Sequence, residues 1–142
     1  MTTIAVKWPN FAADTQLTSG QTIYRVNKLF RLPDGGVASA CGDWANAYPA
    51  LKWLADGEHG DCPEFEDVEL LIGRPDGSLW MAEGKWPAYP ILGDIAAIGC
   101  GAQAAQVAMS FHGKTPRQAV EGVASSDPNT SAPIQTMKVK SL

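Results

Sequence analysis

The chain has 142 residues, of which 45% are hydrophobic and 18% charged, and a net charge of −4. That is enough length for one domain over residues 1–142 that buries about two-thirds of its unfolded surface, while the acidic balance excludes a basic footprint for nucleic acid and no apolar run approaches the roughly 18 residues of a membrane span. The first residues carry no signal-peptide pattern, and Cys41, Cys62 and Cys100 are an odd number, so free thiols in a reducing, cytoplasmic setting are expected.

Ile4, Val6 and Trp8 alternate with smaller or polar residues, which predicts a half-buried strand at the start of the chain. Pro9-Asn10 is a turn signal, and Phe11 to Asp14 returns as a second strand. Thr15 to Gly20 is small and polar and reads as a loop. Thr22 to Val26 is β-branched and aromatic, and Lys28 to Leu32 alternates after it. Pro33-Asp34-Gly35-Gly36 is a turn, and Val37 to Cys41 resumes as a strand of small residues.

Asp43 is the expected N-cap of a helix whose apolar face is Trp44, Tyr48, Leu51 and Ala55, with Pro49 kinking or breaking it. Asp56 to Glu69 is acidic and irregular, a solvated loop. It contains His59 and Cys62, too few ligands for a zinc site, and no metal or other cofactor is expected. Val68 to Ile72 and Leu79 to Ala82 flank a hairpin turn, Arg74-Pro75-Asp76-Gly77-Ser78, and the prolines after Trp86 and Tyr89 limit the next segment to an extended form. Asp94 to Ile98 is a strand, Ala102 to His112 an alanine-rich helix, Thr115-Pro116 the cap and first position of another, and Ile134 to Val139 a last strand. Blocks of strands separated by helices argue an α+β fold with helices covering sheets.

Two stretches suggest chemistry. Gly99-Cys100-Gly101-Ala102-Gln103-Ala104 fits a dinucleotide pattern, but no second parallel strand ending in an acid follows, so a tight strand-to-helix turn explains the glycines. At the start of the chain, loss of Met1 would leave Thr2 with a hydroxyl and a free α-amine. An α-amine has a pKa of about 7.7 to 8.0 and can act as a general base, so a terminal Thr on a strand is a candidate nucleophile carrying its own base.

Thr2-Thr3-Ile4-Ala5-Val6 resembles the mature start of the bacterial HslV peptidase and of proteasome β-subunits. Val26-Asn27-Lys28-Leu29-Phe30-Arg31-Leu32, Val37 to Ala47, and Ala96 to Gly101 with its alanine-rich helix are similar to later stretches of that family, in the same order. The resemblance implies the four-layer αββα sandwich of N-terminal-nucleophile hydrolases and a threonine-type endopeptidase in a self-compartmentalising assembly. It implies Thr2 as nucleophile, Lys28 as the cation beside it and Asp14 as the acid that orients the lysine. Gly42, which follows Lys28 by the family's own interval, would be the oxyanion donor, and Asp127 and Thr130 would anchor the terminal amine. Cys100 stands where the family has a serine, and a thiol is a poorer donor and acceptor than a hydroxyl.

An extended peptide would pair near Thr18 and near Gly42, with Val26, Ala40 and Trp44 lining an apolar pocket. The implied partners are a peptide or unfolded protein substrate, further copies in a homo-oligomeric ring and an ATP-dependent unfoldase, with no nucleic acid and no membrane. The chain is shorter than the usual family member, mainly between the later helices. Without the resemblance, Asp14 and Lys28 read as a structural ion pair, Gly42 as a turn glycine and Asp127 as a turn acid. A catalytically silent scaffold of the same fold and an amidase acting on a small molecule are the alternative functions.

Overall fold

β1 (Thr3–Lys7) is the strand on which the architecture is built, and it is buried on both faces rather than one. Ile4 and Val6 point into one apolar layer and Ala5 into another, because the strand is central in its sheet and covered on each side. The computed structural model describes residues 2–141. β1 pairs antiparallel with β2 (Asn10–Ala13) and with β10 (Ile95–Gly99), and β11 (Gln135–Lys138) adds to the far side of β2, giving the sheet order β10-β1-β2-β11. The register sets Thr3 opposite Gly99, Ile4 opposite Ala13, and Gln135 opposite Ala13.

The second large sheet runs β5 (Leu29–Arg31), β6 (Val37–Gly42), β7 (Val68–Gly73), β8 (Leu79–Glu83) and β9 (Tyr89–Ile91), every pair antiparallel. A separate hairpin, β3 (Gln16–Ser19) with β4 (Thr22–Arg25), connects the second strand of the first sheet to the start of the second. Thr15 to Gly20 is therefore largely strand and not loop. The hairpin is exposed over most of its length, so neither face needed the apolar alternation that marks a strand in sequence.

The helices complete four layers. Phe11, Leu71, Leu79, Ile98 and their neighbours fill the space between the two sheets. Ala5, Ala12, Ala105, Met109 and Val120 join the first sheet to α2 (Ala102–His112) and α3 (Pro116–Ala124). Ala38, Leu70 and Ile72 pack the second sheet against Ala47, Ala50, Leu51 and Leu54 of α1 (Trp44–Ala55). The order is α2/α3, sheet, sheet, α1, an αββα sandwich. The buried face of α1 lies beside the one read from the aromatic spacing: alanines let the helix approach the sheet closely, whereas Tyr48 is exposed and meets Phe30 edge-on at 6.0 Å.

Asp43 caps α1 by accepting from the Ala45 N–H at 3.0 Å, and the helix passes through Pro49 unbroken. Pro49 and Ala45 both lie on the exposed face, so the carbonyl that loses its helical donor is turned to water. At α3, Thr115 and Gln118 form a complete capping box with Pro116 at the first turn. No helix among the described residues is long and apolar enough to cross a membrane.

Between the sheets, Phe11 of β2 lies over Gly73 of β7. A Cβ on Gly73 would stand 2.6 Å from Phe11 Cε1 and 3.2 Å from Val139 Cγ2. Gly73→Ala is expected to force the layers apart and destabilise the protein by about 1 to 3 kcal/mol, the usual range for overpacking. Urea denaturation checks this, and a midpoint equal to that of the parent would refute it.

Candidate active site

Three residues from different elements meet between the sheets. Thr2 precedes β1, Asp14 follows β2, and Lys28 enters β5 of the opposite sheet. Lys28 Nζ donates to Thr2 Oγ1 at 2.8 Å and to Asp14 Oδ1 at 2.9 Å. All three are buried, Lys28 to 1% exposure and Asp14 to 0%. A charge pair removed from water survives only if its remaining hydrogen-bonding capacity is met. Here Asp14 Oδ1 also accepts from the Thr3 N–H at 3.1 Å, and Oδ2 from the Gln16 N–H at 3.2 Å. Burial pushes the Lys28 ammonium below the ordinary lysine range, and the adjacent Asp14 opposes that shift.

A second group gathers on the backbone side of Thr2. The Thr2 carbonyl accepts from the Cys100 N–H at 2.8 Å and from Cys100 Sγ at 3.4 Å. Cys100 Sγ also lies 3.1 Å from Asp127 Oδ2 and 3.7 Å from Thr130 Oγ1. Thr130 Oγ1 in turn is 2.7 Å from Thr3 Oγ1. The Asp127 carboxyl is held below its ordinary range, first by the Asn129 N–H and then by the Cys100 thiol. The turn that brings Cys100 here depends on Gly99, whose φ of +97° suits glycine and where a Cβ would collide with the Thr2 carbonyl. The strand-to-helix turn thus closes directly over Thr2.

The other expected residues stand on β6, on or just after the β3–β4 hairpin, and at the start of α1. Gly42 ends β6 at φ +113°, where a Cβ would strike the Asp67 carbonyl. Thr18 sits on the β3–β4 hairpin, accepting from Gln16 Nε2 at 2.9 Å, and Val26 is half-buried with its N–H on the Thr15 carbonyl. Trp44 is half-buried at the start of α1. Among the described residues, no hydrogen bond joins Thr18, Val26, Ala40 or Trp44 to Thr2, Asp14 or Lys28.

Ala40 does not line a pocket. It is 0% exposed and packed in the layer against α1, because β6 is covered on both faces. A recess of about 480 Å³ beside Gly42 is bordered by Cys41, Asp67, Val68, Glu69 and Glu83 and is largely acidic. Among the described residues, no group of three His, Cys, Asp or Glu side chains is placed to hold a metal ion.

Sequence reasoning missed Thr3 and Gln135. Thr3 reads as an ordinary strand residue, yet its N–H meets Asp14 and its hydroxyl meets Thr130. Gln135 Oε1 accepts from the Lys28 N–H at 3.1 Å, while Nε2 donates to the Asp14 carbonyl at 3.0 Å and the Val26 carbonyl at 3.4 Å. No spacing rule connects residues so far apart in the chain. Met1 lies outside the described residues, and with it the peptide bond on which a terminal Thr2 depends.

Two measurements test these electrostatics. Lys28→Met leaves Asp14 buried without its cation and is expected to cost about 3 to 5 kcal/mol in urea denaturation, a loss partly recovered in Asp14→Asn/Lys28→Met. An unchanged midpoint for Lys28→Met would show the pair to be unimportant. Burial and the neighbouring Glu69 push the Cys41 thiol up to about 12, whereas Cys100 is exposed. Since the thiolate is the reactive form, iodoacetamide at pH 8 should label Cys100 in the folded protein and Cys41 only after unfolding. Peptide mapping that finds Cys41 labelled in the native state would contradict this burial.

No family model matches the chain, and no curated protein matches it in sequence. Solved structures do match along nearly the whole length. HslV from Trypanosoma brucei has a TM-score of 0.67 at 20% identity, covering 96% of this chain and 98% of its own. The BPH protein of Thiobacillus denitrificans, solved in complex with epoxomicin, has a TM-score of 0.63 at 16% identity, covering 98% of this chain and 100% of its own. The likeness is one of fold: two antiparallel sheets between helical layers, as in HslV and BPH.

Proposed function

We propose that this protein is a threonine-type endopeptidase that uses Thr2 as its nucleophile once Met1 has been removed. The observation that carries the reading is the buried Lys28 ammonium, 2.8 Å from Thr2 Oγ1 and paired with Asp14. A cation so placed favours the alkoxide over the hydroxyl and lowers the cost of attack.

In the mechanism, the freed α-amine of Thr2 takes the hydroxyl proton as Oγ1 attacks the substrate carbonyl carbon. The tetrahedral oxyanion is stabilised by the Gly42 N–H, a contribution typically worth about 100- to 1,000-fold in rate. Its collapse breaks the C–N bond, the leaving amine receives the proton, and an ester to Thr2 remains. Water, deprotonated by the same amine, attacks the ester carbon and releases the acid, restoring the hydroxyl. Cys100, Asp127 and Thr130, gathered at the Thr2 backbone, are the groups that would hold that amine in place. Lys28 and Asp14 supply the field, and Thr2 the only covalent bond.

The fold shared with HslV and BPH supports a homo-oligomeric ring in which peptides or unfolded proteins reach enclosed sites. An ATP-dependent unfoldase is the partner such an assembly would take. Thr18 and the segment from Gly42 to Trp44 would flank the bound peptide.

The decisive test is hydrolysis of unstructured peptides together with the intact mass. The active protein should lack Met1, and Thr2→Ala should lose activity by about 1,000-fold or more, while Cys100→Ala, which removes only one of the groups around the amine, should be lowered but keep measurable hydrolysis. Epoxomicin, held by the Thiobacillus denitrificans neighbour, should raise the melting temperature of the parent and not of Thr2→Ala. Peptide hydrolysis undiminished in Thr2→Ala would overturn the assignment. Retention of Met1 in protein from its natural source would turn it to the scaffold, and turnover of small amides alone to the amidase.

A further inference from the structure

The candidate site is divided between two sheets. Thr2 and Asp14 belong to the ends of β1 and β2, whereas Lys28 arrives from the sheet that contains β5. The Lys28 side chain is wholly enclosed, so its reach to Thr2 is set by where its backbone is held. That backbone has little regular support, since Val26 to Lys28 lie between β4 and β5 and belong to neither strand.

Gln135 supplies what the ladders do not. On β11 it stands directly opposite Ala13, the residue before Asp14. From there its amide accepts the Lys28 N–H at 3.1 Å and donates to the Val26 carbonyl at 3.4 Å and the Asp14 carbonyl at 3.0 Å. One planar group thus ties the backbone carrying the acid to the backbone carrying the cation. An amide is suited to this because it offers an acceptor and two donors in a fixed plane. Leu or Met at this position would leave partly buried backbone groups without partners.

We propose that Gln135 is the positioning residue of this site, clipping the two sheets together at the distance that lets Lys28 reach both Thr2 and Asp14. The proposal rests on the peptidase reading for its kinetic consequence, but not for its structural one. A shift of about 1 Å in a catalytic group can cost on the order of 100-fold, so the clip acts on turnover more than on substrate binding.

The experiment compares Gln135→Leu, Gln135→Glu and Met137→Ala, the last a control on the same strand that packs between the sheets away from the clip. Each is measured for peptide hydrolysis and for titration of the Lys28 side chain by 13Cε NMR. Gln135→Leu should lower kcat by about 10- to 100-fold with KM within about twofold of the parent. Its Lys28 midpoint should move up towards that of an exposed lysine. Gln135→Glu keeps the acceptor for the Lys28 N–H and loses both donors, so a smaller kcat loss is expected. Met137→Ala should lose stability yet leave kcat and the Lys28 midpoint unchanged.

A folded Gln135→Leu with parental kcat and an unmoved Lys28 overturns the proposal, as does a Met137→Ala that reproduces its effects. Should Gln135→Leu not fold, Gln135→Glu decides: lowered kcat upholds the clip and parental kcat refutes it. If the parent hydrolyses no peptide, the peptidase reading fails by itself. The Lys28 midpoint then decides the clip, displaced in Gln135→Leu and not in Met137→Ala if it holds and unmoved in both if it does not.

Discussion

The interaction on which the structure turns is the ion pair between Lys28 and Asp14, enclosed where the two sheets face one another. A full charge in such a place is costly unless a partner and several donors or acceptors surround it. Every contact of the Asp14 carboxylate follows from that demand: the Lys28 ammonium, the Thr3 N–H and the Gln16 N–H share its two oxygens. Thr2 is drawn into the arrangement as the second acceptor for the lysine. Among the described residues, no buried side-chain nitrogen or oxygen is left without a partner.

Holding that pair constrains the surrounding chain. The two sheets meet at Gly73 under Phe11, and within the first sheet and its helical cover Gly99 against the Thr2 carbonyl and Gly101 against Thr3 and Val123 leave no room for a Cβ. The segment between α3 and β11 wraps the opening of the site with Asp127, Thr130 and Ser131. Ser131 Oγ donates to Gln16 Oε1 and accepts from Arg25 Nη1, which ties the β3–β4 hairpin to the same segment. The C-terminal stretch therefore contributes to the site as much as the N-terminal strand does.

Much of the framework was legible from local chemistry. The Arg74 to Ser78 turn, the Thr115-Pro116 cap, the bounds of α2 and the Asp43 cap all follow from residues within a few positions of one another, and the structure has them. The misreadings share a cause as well. The β3 strand has no buried face to announce it, α1 tolerates Pro49 because the orphaned carbonyl faces water, and Ala40 is closed off by a helix whose packing face depends on alanines. Each of these is decided by what lies on the other side of an element.

The sequence by itself determined the order of the elements, the α+β class, and the presence of a threonine, an acid and a lysine whose spacing resembles a known peptidase family. Periodicity, caps and turns are local properties, and resemblance is carried by residue types along the chain. Only the tertiary structure decided that Lys28 crosses from one sheet to meet Thr2 and Asp14 on the other, that Thr3 contacts both Asp14 and Thr130, and that Gln135 joins the two backbones. Burial, hydrogen-bond partners and a displaced proton affinity arise from groups distant in sequence and adjacent in space, so they come into being only when the sheets close.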